Sequence, residues 1–288
     1  MKTLLILSDT VSVFSRDTLL RSLRASGMTY EVVETNASLD GAIRNRLLEG
    51  WDCVAAGGGD GMVAAVAHAL IGTGLPLGIL PLGTGNLVAR ELGIPLETAE
   101  AVEALARNPR PRAIDAMRIA SKTYLLNAGV GVNAEVIDET SRLGKSLFGR
   151  AAYVGTAVWK TLRAKTHKIE ITIDGDTQTH HATDVLISNC GILARALNPN
   201  GPDIRADDGL LDICVIRVKT PLEYPWYYLL RWIAPKRVNT ISTETAARRS
   251  IRIRCAKPIV VQADGDVIGT TPVDIELLPL AVTVLVPR

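Results

Sequence analysis

The sequence predicts two domains, an N-terminal Rossmann-like parallel α/β domain and a C-terminal antiparallel β-sandwich. Three observations carry this. Residues 1–112 alternate short apolar runs with helical segments of about ten residues, the pattern of a parallel sheet covered by helices. Beyond Pro109-Arg110-Pro111 the pattern changes to many short strands at close spacing, as in a sandwich. Finally, two glycine loops, Gly57-Gly58-Gly59-Asp60-Gly61 and Gly83-Thr84-Gly85-Asn86, stand where apolar runs give way to helical segments. Ligands of parallel α/β sheets bind at the carboxyl ends of the strands, where such loops lie.

In the first domain, Leu4 to Leu7 reads as a strand, and Arg16 to Ala25 has a helical apolar face that Gly27 ends. Tyr30 to Glu34 is a second strand, and Leu39 to Leu48 a helix closed by Gly50. Trp51 to Ala56 leads as a strand into the first glycine loop, and Met62 to Leu70 leaves it as a helix. Leu77 to Leu82 leads into the second, and Leu87 to Leu92 leaves it, with Gly93 as C-cap and Pro95 as stop. Leu96 to Ala106 is the last helix, entered at Pro95.

In the second domain, 113–288, the strands are Ala113 to Ala120, Lys122 to Ala128, Lys168 to Ile173, Thr183 to Ser188, Leu211 to Val218, Ser250 to Arg254, Ile259 to Ala263, Val273 to Leu277 and Ala281 to Val286. Ile251-Arg252-Ile253-Arg254 alternates cleanly, so one face of that strand is wet. Asp174-Gly175 has the form of a tight hairpin turn. One helical insert, about Arg150 to Leu162, interrupts the strands. Whether the last strand, about 281–288, returns to the first domain is left open by the sequence.

Composition narrows the function. A chain of 288 residues, 47% hydrophobic and 22% charged, is a globular one with a substantial core. A net charge of +2 speaks against nucleic acid as the partner. The four cysteines form no C-x-x-C pair and sit in or beside apolar runs, as buried free thiols of a reducing compartment do. The first apolar run is too short for a signal peptide, and no stretch approaches the 18 apolar residues of a membrane span. A cytoplasmic protein is expected, with contact to a membrane surface left open.

The glycine loops suit an anion. Glycine lets backbone approach a ligand, and the N–H groups of a helix N-terminus attract phosphate. The plain alternative is a pair of βα turns. The dinucleotide spacing G-x-G-x-x-G is absent, since Met62 and Ala64 fall where the last glycine belongs. Leu143-Gly144-Lys145-Ser146 is no P-loop, because Glu139 stands at the required glycine. A carboxylate, Asp60, among phosphate-binding amides would be repulsive without a cation, which points to Mg²⁺. Asp115 and Asp208 are further acids that could converge with it, each otherwise an ordinary turn residue. Asp266, in the turn Asp264-Gly265-Asp266, could take a proton from a substrate hydroxyl.

These residues carry a resemblance. Gly58-Gly59-Asp60-Gly61, Leu80-Pro81-Leu82-Gly83-Thr84-Gly85-Asn86, Ala89-Arg90 and Leu92-Gly93-Ile94-Pro95 resemble the catalytic domain of the diacylglycerol kinase family, with bacterial soluble lipid kinases nearest in size. Gly129 to Ala134, Arg150 to Val154, Ile187-Ser188-Asn189, Asp208-Gly209-Leu210-Leu211-Asp212 and Asp264-Gly265-Asp266 resemble its later motifs in order. The resemblance implies an active site in the cleft between the two domains. It places ATP on the two glycine loops, at Thr84, the backbone of Gly58 to Ala64 and Thr35. It implies a structural Mg²⁺ held by Asp208 and the carbonyls of Leu210 and Arg205, linked through water to Asp60 and Asp115. A second Mg²⁺ would travel with ATP, and Asp266 would be the base.

The chain departs from the family pattern at four places. The usual opening Asn-Pro-x-x-Gly loop is Ser8-Asp9-Thr10-Val11-Ser12, the Thr of Gly-Asp-Gly-Thr is Met62, and the Asp of Gly-Phe-Asp-Ala is Asn133. The acid of Asp-Gly-Glu is Asp266, shorter by one bond of about 1.5 Å.

On the lipid side, Tyr224, Trp226, Tyr227, Tyr228 and Trp232 crowd into a short stretch followed by Arg231, Lys236, Arg237, Arg248, Arg249, Arg252 and Arg254. Aromatics beside cations suit a bilayer interface with anionic headgroups. The alternatives are a helix packed on the sandwich or a homodimer contact. The expected activity is an ATP-dependent lipid kinase peripheral to the inner membrane face. An NAD kinase, which shares the Gly-Gly-Asp-Gly loop, and a lipid-binding regulatory member without turnover are the rivals.

Overall fold

The computed structural model describes residues 1–35, 46, 49–131, 134, 165–197, 203–218, 223, 226, 227, 229 and 241–288. The helix expected over 39–48 apart from Arg46, the insert over 150–162, Asn133, and Tyr224, Tyr228, Arg231, Trp232, Lys236 and Arg237 lie outside them. The chain divides into two compact units. Unit 1 holds Met1–Ala116, Ser121–Leu125 and Pro279–Arg288, and unit 2 holds Met117–Ala120 and Leu126–Leu278.

Unit 1 is built on four parallel strands, β1 (Lys2–Ser8), β2 (Thr29–Thr35), β3 (Cys53–Gly58) and β4 (Leu77–Pro81), in the order β2-β1-β3-β4. The expected apolar runs are buried on both faces: Leu4 to Leu7 and Cys53 to Ala56 are at most 1% exposed. Helices α1 (Val13–Ala25) and α4 (Thr98–Ala106) cover one face. Leu19 and Leu23 of α1 and Ala101, Val102 and Leu105 of α4 pack there on Leu5, Leu7, Ala55 and Leu80. Between these helices in sequence come α2 (Asp60–Leu70), which packs on β3 and β4, and the short α3 (Leu87–Glu91). The start of α1 precedes the expected one because Ser12 caps it, its Oγ accepting from Ser15 N at 3.2 Å. Pro95 does not open α4; Glu97 caps that helix, accepting from Glu100 N at 2.9 Å.

Strand β5 (Arg110–Ile119) begins inside the Pro109-Arg110-Pro111 segment, where the pattern of the sequence changes. Lys122 to Ala128 forms two strands, β6 (Lys122–Tyr124) and β7 (Asn127–Gly131). In unit 2, β7 joins β10 (Asp184–Ser188), β11 (Leu211–Ile216), β12 (Ser242–Ala247), β14 (Val260–Ala263) and β15 (Asp266–Thr270) in one antiparallel sheet, ordered β12-β11-β10-β7-β14-β15. A second antiparallel run pairs β9 (Asp176–Ala182) with β8 (His167–Ile173), β8 with β13 (Ser250–Cys255), and β13 with the first half of β16 (Val273–Val286). The turn between β8 and β9 is Asp174-Gly175, with φ of 53° and 108°. A short helix, α5 (Gly191–Leu197), follows β10.

Strands β9, β12 and β15 had no counterpart among the expected strands. Each is a sheet edge: β9 and β12 are mostly polar, and β15 has Val267 and Ile268 side by side rather than alternating, so no apolar period marks them. Conversely, the two expected strands at the C-terminus are one strand, β16. It bends at Leu280, whose φ is 48°, and its second half returns to unit 1, where Val284 pairs in parallel with Leu77.

Candidate functional site

Strand order in unit 1 reverses beside β1, with β2 on one side and β3 on the other. Such a switch point opens a crevice at the carboxyl ends of the strands. Register places Ser8 opposite Thr35, Leu7 opposite Gly57 and Gly58 opposite Pro81, so Thr35, Ser8 and both glycine loops share that edge.

The first loop is tighter than the sequence suggested. Gly57 and Gly58 belong to β3, Gly59 is the N-cap of α2, and the helix begins at Asp60 rather than Met62. This early start changes which groups face a ligand. Met62 N and Val63 N donate to Gly59 O at 3.0 and 3.1 Å, and Ala64 N lies deeper in the helical ladder. The helix-terminal amides without an intrahelical acceptor are those of Asp60 and Gly61. Within the run Gly58 to Ala64 that the resemblance places near ATP, the amides of Met62 and Val63 are thus already engaged with Gly59 O. Met62 is a packing residue. It is 5% exposed, and a Cβ on Gly58 would meet its Cβ at 2.8 Å. The position where the family has a hydroxyl thus holds a side chain folded beneath the loop.

The two glycine loops interlock. A Cβ on Gly83 would sit 2.4 Å from the Cα of Gly59 and 2.9 Å from Asn86 Oδ1. Just before this contact, Leu82 N donates to Gly58 O at 2.9 Å. The second loop is locked from within: Gly83 N donates to Asn86 Oδ1 at 2.9 Å and Asn86 Nδ2 donates to Gly83 O at 2.8 Å. That reciprocal pair explains the left-handed backbone of Asn86, φ 50°, which asparagine tolerates best. Thr84 and Gly85 are exposed at the loop tip.

Asp60 has a role the sequence did not show. Its Oδ1 accepts from Val88 N at 3.0 Å, so it caps α3, whose own N-cap Asn86 makes no side-chain cap. Its carboxylate therefore has a partner within the protein, on the helix that leaves the other loop. Asp60→Ala is expected to cost about 1 kcal/mol by loss of the cap, and Asp60→Asn less. A urea midpoint unchanged in Asp60→Ala would contradict the cap. Asp115 is fully buried in β5 and accepts from Leu280 N at 2.7 Å, at the bend of β16.

In unit 2, Asp208 is exposed and its Oδ1 accepts from Leu210 N at 3.0 Å, with Gly209 at φ 70°. Arg205 is exposed, and its Nε bonds to Asp207 at 3.3 Å. Asp212, four residues on, was not expected in the site. Burial, then Asp208, then Glu244 across the β11–β12 pairing push its carboxyl up to about 6. Its place in the Asp-Gly-Leu-Leu-Asp run and the alternating burial of β11 were the available signals. Asp208 and the carbonyls of Leu210 and Arg205 are hard oxygen donors of the kind Mg²⁺ takes, and among the described residues no cluster of three or more His, Cys, Asp or Glu suited to a metal occurs. Because the folded Asp212 holds its proton above the ordinary 3.8, stability declines as pH rises from about 3.8 to about 6, and the penalty is complete above that. In EDTA, with no divalent cation to offset Asp208, Asp212→Asn should therefore raise the melting temperature at pH 7.5, with the gain shrinking toward zero at pH 4. A gain independent of pH would refute this.

Asp266 opens β15 with its side chain exposed, directly after the two-residue turn Asp264-Gly265. Asp264 is occupied instead: its Oδ1 accepts from Leu126 N at 2.9 Å and Asn127 N at 3.0 Å. Of the aromatic cluster, Trp226 is 54% exposed, whereas Tyr227 is 1% exposed, a core side chain whose hydroxyl lies 3.8 Å from Cys214 Sγ. Among the expected cations, Arg252 pairs with Asp274, and Arg254 stands opposite Glu170 on β8. The cationic face of β13 is thus interleaved with acids. No helix among the described residues is long and apolar enough to cross a membrane.

Comparison with known proteins agrees with this geometry. Residues 12–119 match the family model of the diacylglycerol kinase catalytic domain, and residues 127–286 that of the YegS C-terminal NAD kinase beta sandwich-like domain. A Synechocystis sp. protein is 30% identical over 92% of this chain, which spans 60% of that relative's length. A Mycobacterium tuberculosis protein named diacylglycerol kinase is 29% identical over 83% of this chain and 78% of its own. A YegS-like lipid kinase of Pseudomonas aeruginosa is 36% identical over 60% of this chain and 57% of its own. A crystal structure of a diacylglycerol kinase from Bacillus anthracis str. Sterne matches 100% of this chain and 97% of its own with a TM-score of 0.72 at 21% identity. Another structure from that organism reaches 0.79 at 24%, covering 100% of this chain and 95% of its own. At these identities the structures establish the fold. With both family models matched in order along the chain, the chain belongs to the family of diacylglycerol kinases and YegS-like lipid kinases.

Proposed function

We propose that this chain is an ATP-dependent lipid kinase that transfers the γ-phosphoryl group to the hydroxyl of a diacylglycerol-like lipid at a membrane surface. The observation that carries this reading is the backbone contact of the two glycine loops at the switch point of a chain of this family. The amides of Gly59–Gly61 and the exposed Thr84–Gly85 tip offer donors to phosphate. Asp266 takes the proton from the lipid hydroxyl as its oxygen bonds to the γ-phosphorus, and the bond from that phosphorus to the bridging oxygen of ADP breaks. Mg²⁺, when bound, screens the charge on the phosphates and, at Asp208, Leu210 and Arg205, neutralises the acidic turn.

Contact with lipid is supported by exposed apolar side chains. Val13 and Phe14, on the first turn of α1 just beyond the carboxyl end of β1, are 76% and 77% exposed, and Trp226 is 54% exposed. The protein acts peripherally on the cytoplasmic face of the membrane, with a homodimer as the competing use of these side chains and no role for nucleic acid.

The test is transfer from γ-labelled ATP in Mg²⁺ to a total lipid extract, to diacylglycerol vesicles and to NAD, with products identified by mass. A phosphorylated lipid is expected. Phosphorylated NAD instead would establish the NAD kinase reading, and lipid binding without transfer the regulatory one.

A further inference from the structure

The hairpin between β14 and β15 is held more firmly than a solvent-facing turn requires, and the holding group is the other acid of Asp264-Gly265-Asp266. Asp264 and Gly265 have φ of 49° and 87°, a turn that ends with Asp266 paired to Ala263. One oxygen of Asp264 accepts both Leu126 N and Asn127 N, on the β6–β7 connection, and Asp264 N donates to Asn127 O at 2.9 Å. A second brace runs through Gln262, which is 4% exposed. Its Oε1 accepts from Gly265 N at 3.2 Å, and its Nε2 donates to Asn127 Oδ1 at 3.0 Å. Both turn residues are thus tied to neighbouring groups, and only Asp266 is left to point outward.

We infer that Asp264 is the positioning residue of the general base: it fixes the backbone from which Asp266 projects and does not touch substrate itself. This rests on the lipid kinase reading above and on Asp266 as its base. The physical ground is the steep dependence of proton transfer on geometry. A misplacement of about 1 Å can lower a rate on the order of 10²-fold, and a two-residue turn in left-handed conformation has little to hold it once its anchor is gone. An ionised carboxylate accepting two backbone N–H groups is a strong anchor. Asparagine at the same position keeps one carbonyl oxygen for both donors and tolerates the positive φ, whereas alanine keeps neither advantage.

The experiment compares wild type, Asp264→Ala, Asp264→Asn, Asp266→Asn and the double variant Asp264→Ala/Asp266→Asn, in lipid kinase assays run well below each melting temperature. Asp264→Ala is expected to lower kcat on the order of 10²-fold while the Kd for ATP, set in unit 1, stays within about twofold. Asp264→Asn restores most of kcat, and the double variant is no slower than Asp266→Asn alone, because both changes disable one group. Should Asp264→Ala fail to fold, Gln262→Met removes the second brace and is expected to lower kcat about tenfold with ATP binding unchanged. A folded Asp264→Ala with wild-type kcat, or a double variant slower than Asp266→Asn by the full factor of Asp264→Ala, overturns the positioning role. Absence of lipid phosphorylation by wild type overturns the lipid kinase reading itself, a distinct result.

Discussion

Asp266→Asn is expected to abolish lipid phosphorylation, by a factor on the order of 10²–10⁴, with no change in melting temperature. The size follows from the chemistry. A lipid hydroxyl must lose its proton as it attacks, and a neutral amide cannot take it. The absence of a stability effect follows from the structure. Asp266 is exposed at the start of an edge strand, and the hydrogen bonds that hold its turn belong to Asp264 and Gln262. Asp266→Glu should retain measurable transfer, since it keeps a carboxylate and adds a reach of about 1.5 Å. Titrating initial rate against ATP and lipid for the three proteins checks this. Wild-type turnover in Asp266→Asn would falsify the base assignment.

Gly83→Ala is expected to damage both the stability of unit 1 and its binding of ATP. The new Cβ would lie 2.4 Å from the backbone Cα of Gly59, which cannot swing aside, and 2.9 Å from Asn86 Oδ1, which two hydrogen bonds to Gly83 hold in place. Relief requires the loops to part, which strains the Asn86–Gly83 hydrogen bonds and separates the amides proposed to bind phosphate. The expected cost is about 1–3 kcal/mol, read as a lower urea midpoint, together with a loss of ATP binding larger than the stability change explains. Gly61→Ala is the control for the urea midpoint alone, since its own amide is one of those proposed to meet phosphate. Its Cβ meets nothing within 4 Å, and in a helix alanine is favoured over glycine by about 0.5–1 kcal/mol. Equal effects of the two substitutions would show that the loops do not depend on their close approach.

How much was readable in advance differs by element. The buried strands of unit 1 were legible because a strand covered on both faces is a run of apolar residues, as at Leu4–Leu7. The hairpins at Asp174-Gly175 and Asp264-Gly265 were legible because left-handed turns demand this chemistry. The edge strands β9, β12 and β15 were not, since strands with no buried face need not alternate apolar and polar residues, and these do not. Within the candidate site, the residue types at the glycine loops and at Asp266 were legible. The tasks of Asp60, Met62 and Asp264 were not, because each is defined by a partner remote along the chain or beneath the backbone.

The sequence by itself determined the class of fold, the two glycine loops, the acids and the family whose pattern they follow. These depend on local composition and spacing, which a linear chain displays. Tertiary structure alone decided that the loops touch at Gly59 and Gly83, that Asp60 caps the helix of the other loop, and that Asp264 anchors the turn that presents Asp266. The reason is physical. A close backbone approach and a hydrogen bond between distant residues are made by packing, and packing brings together positions that no periodicity along the chain connects.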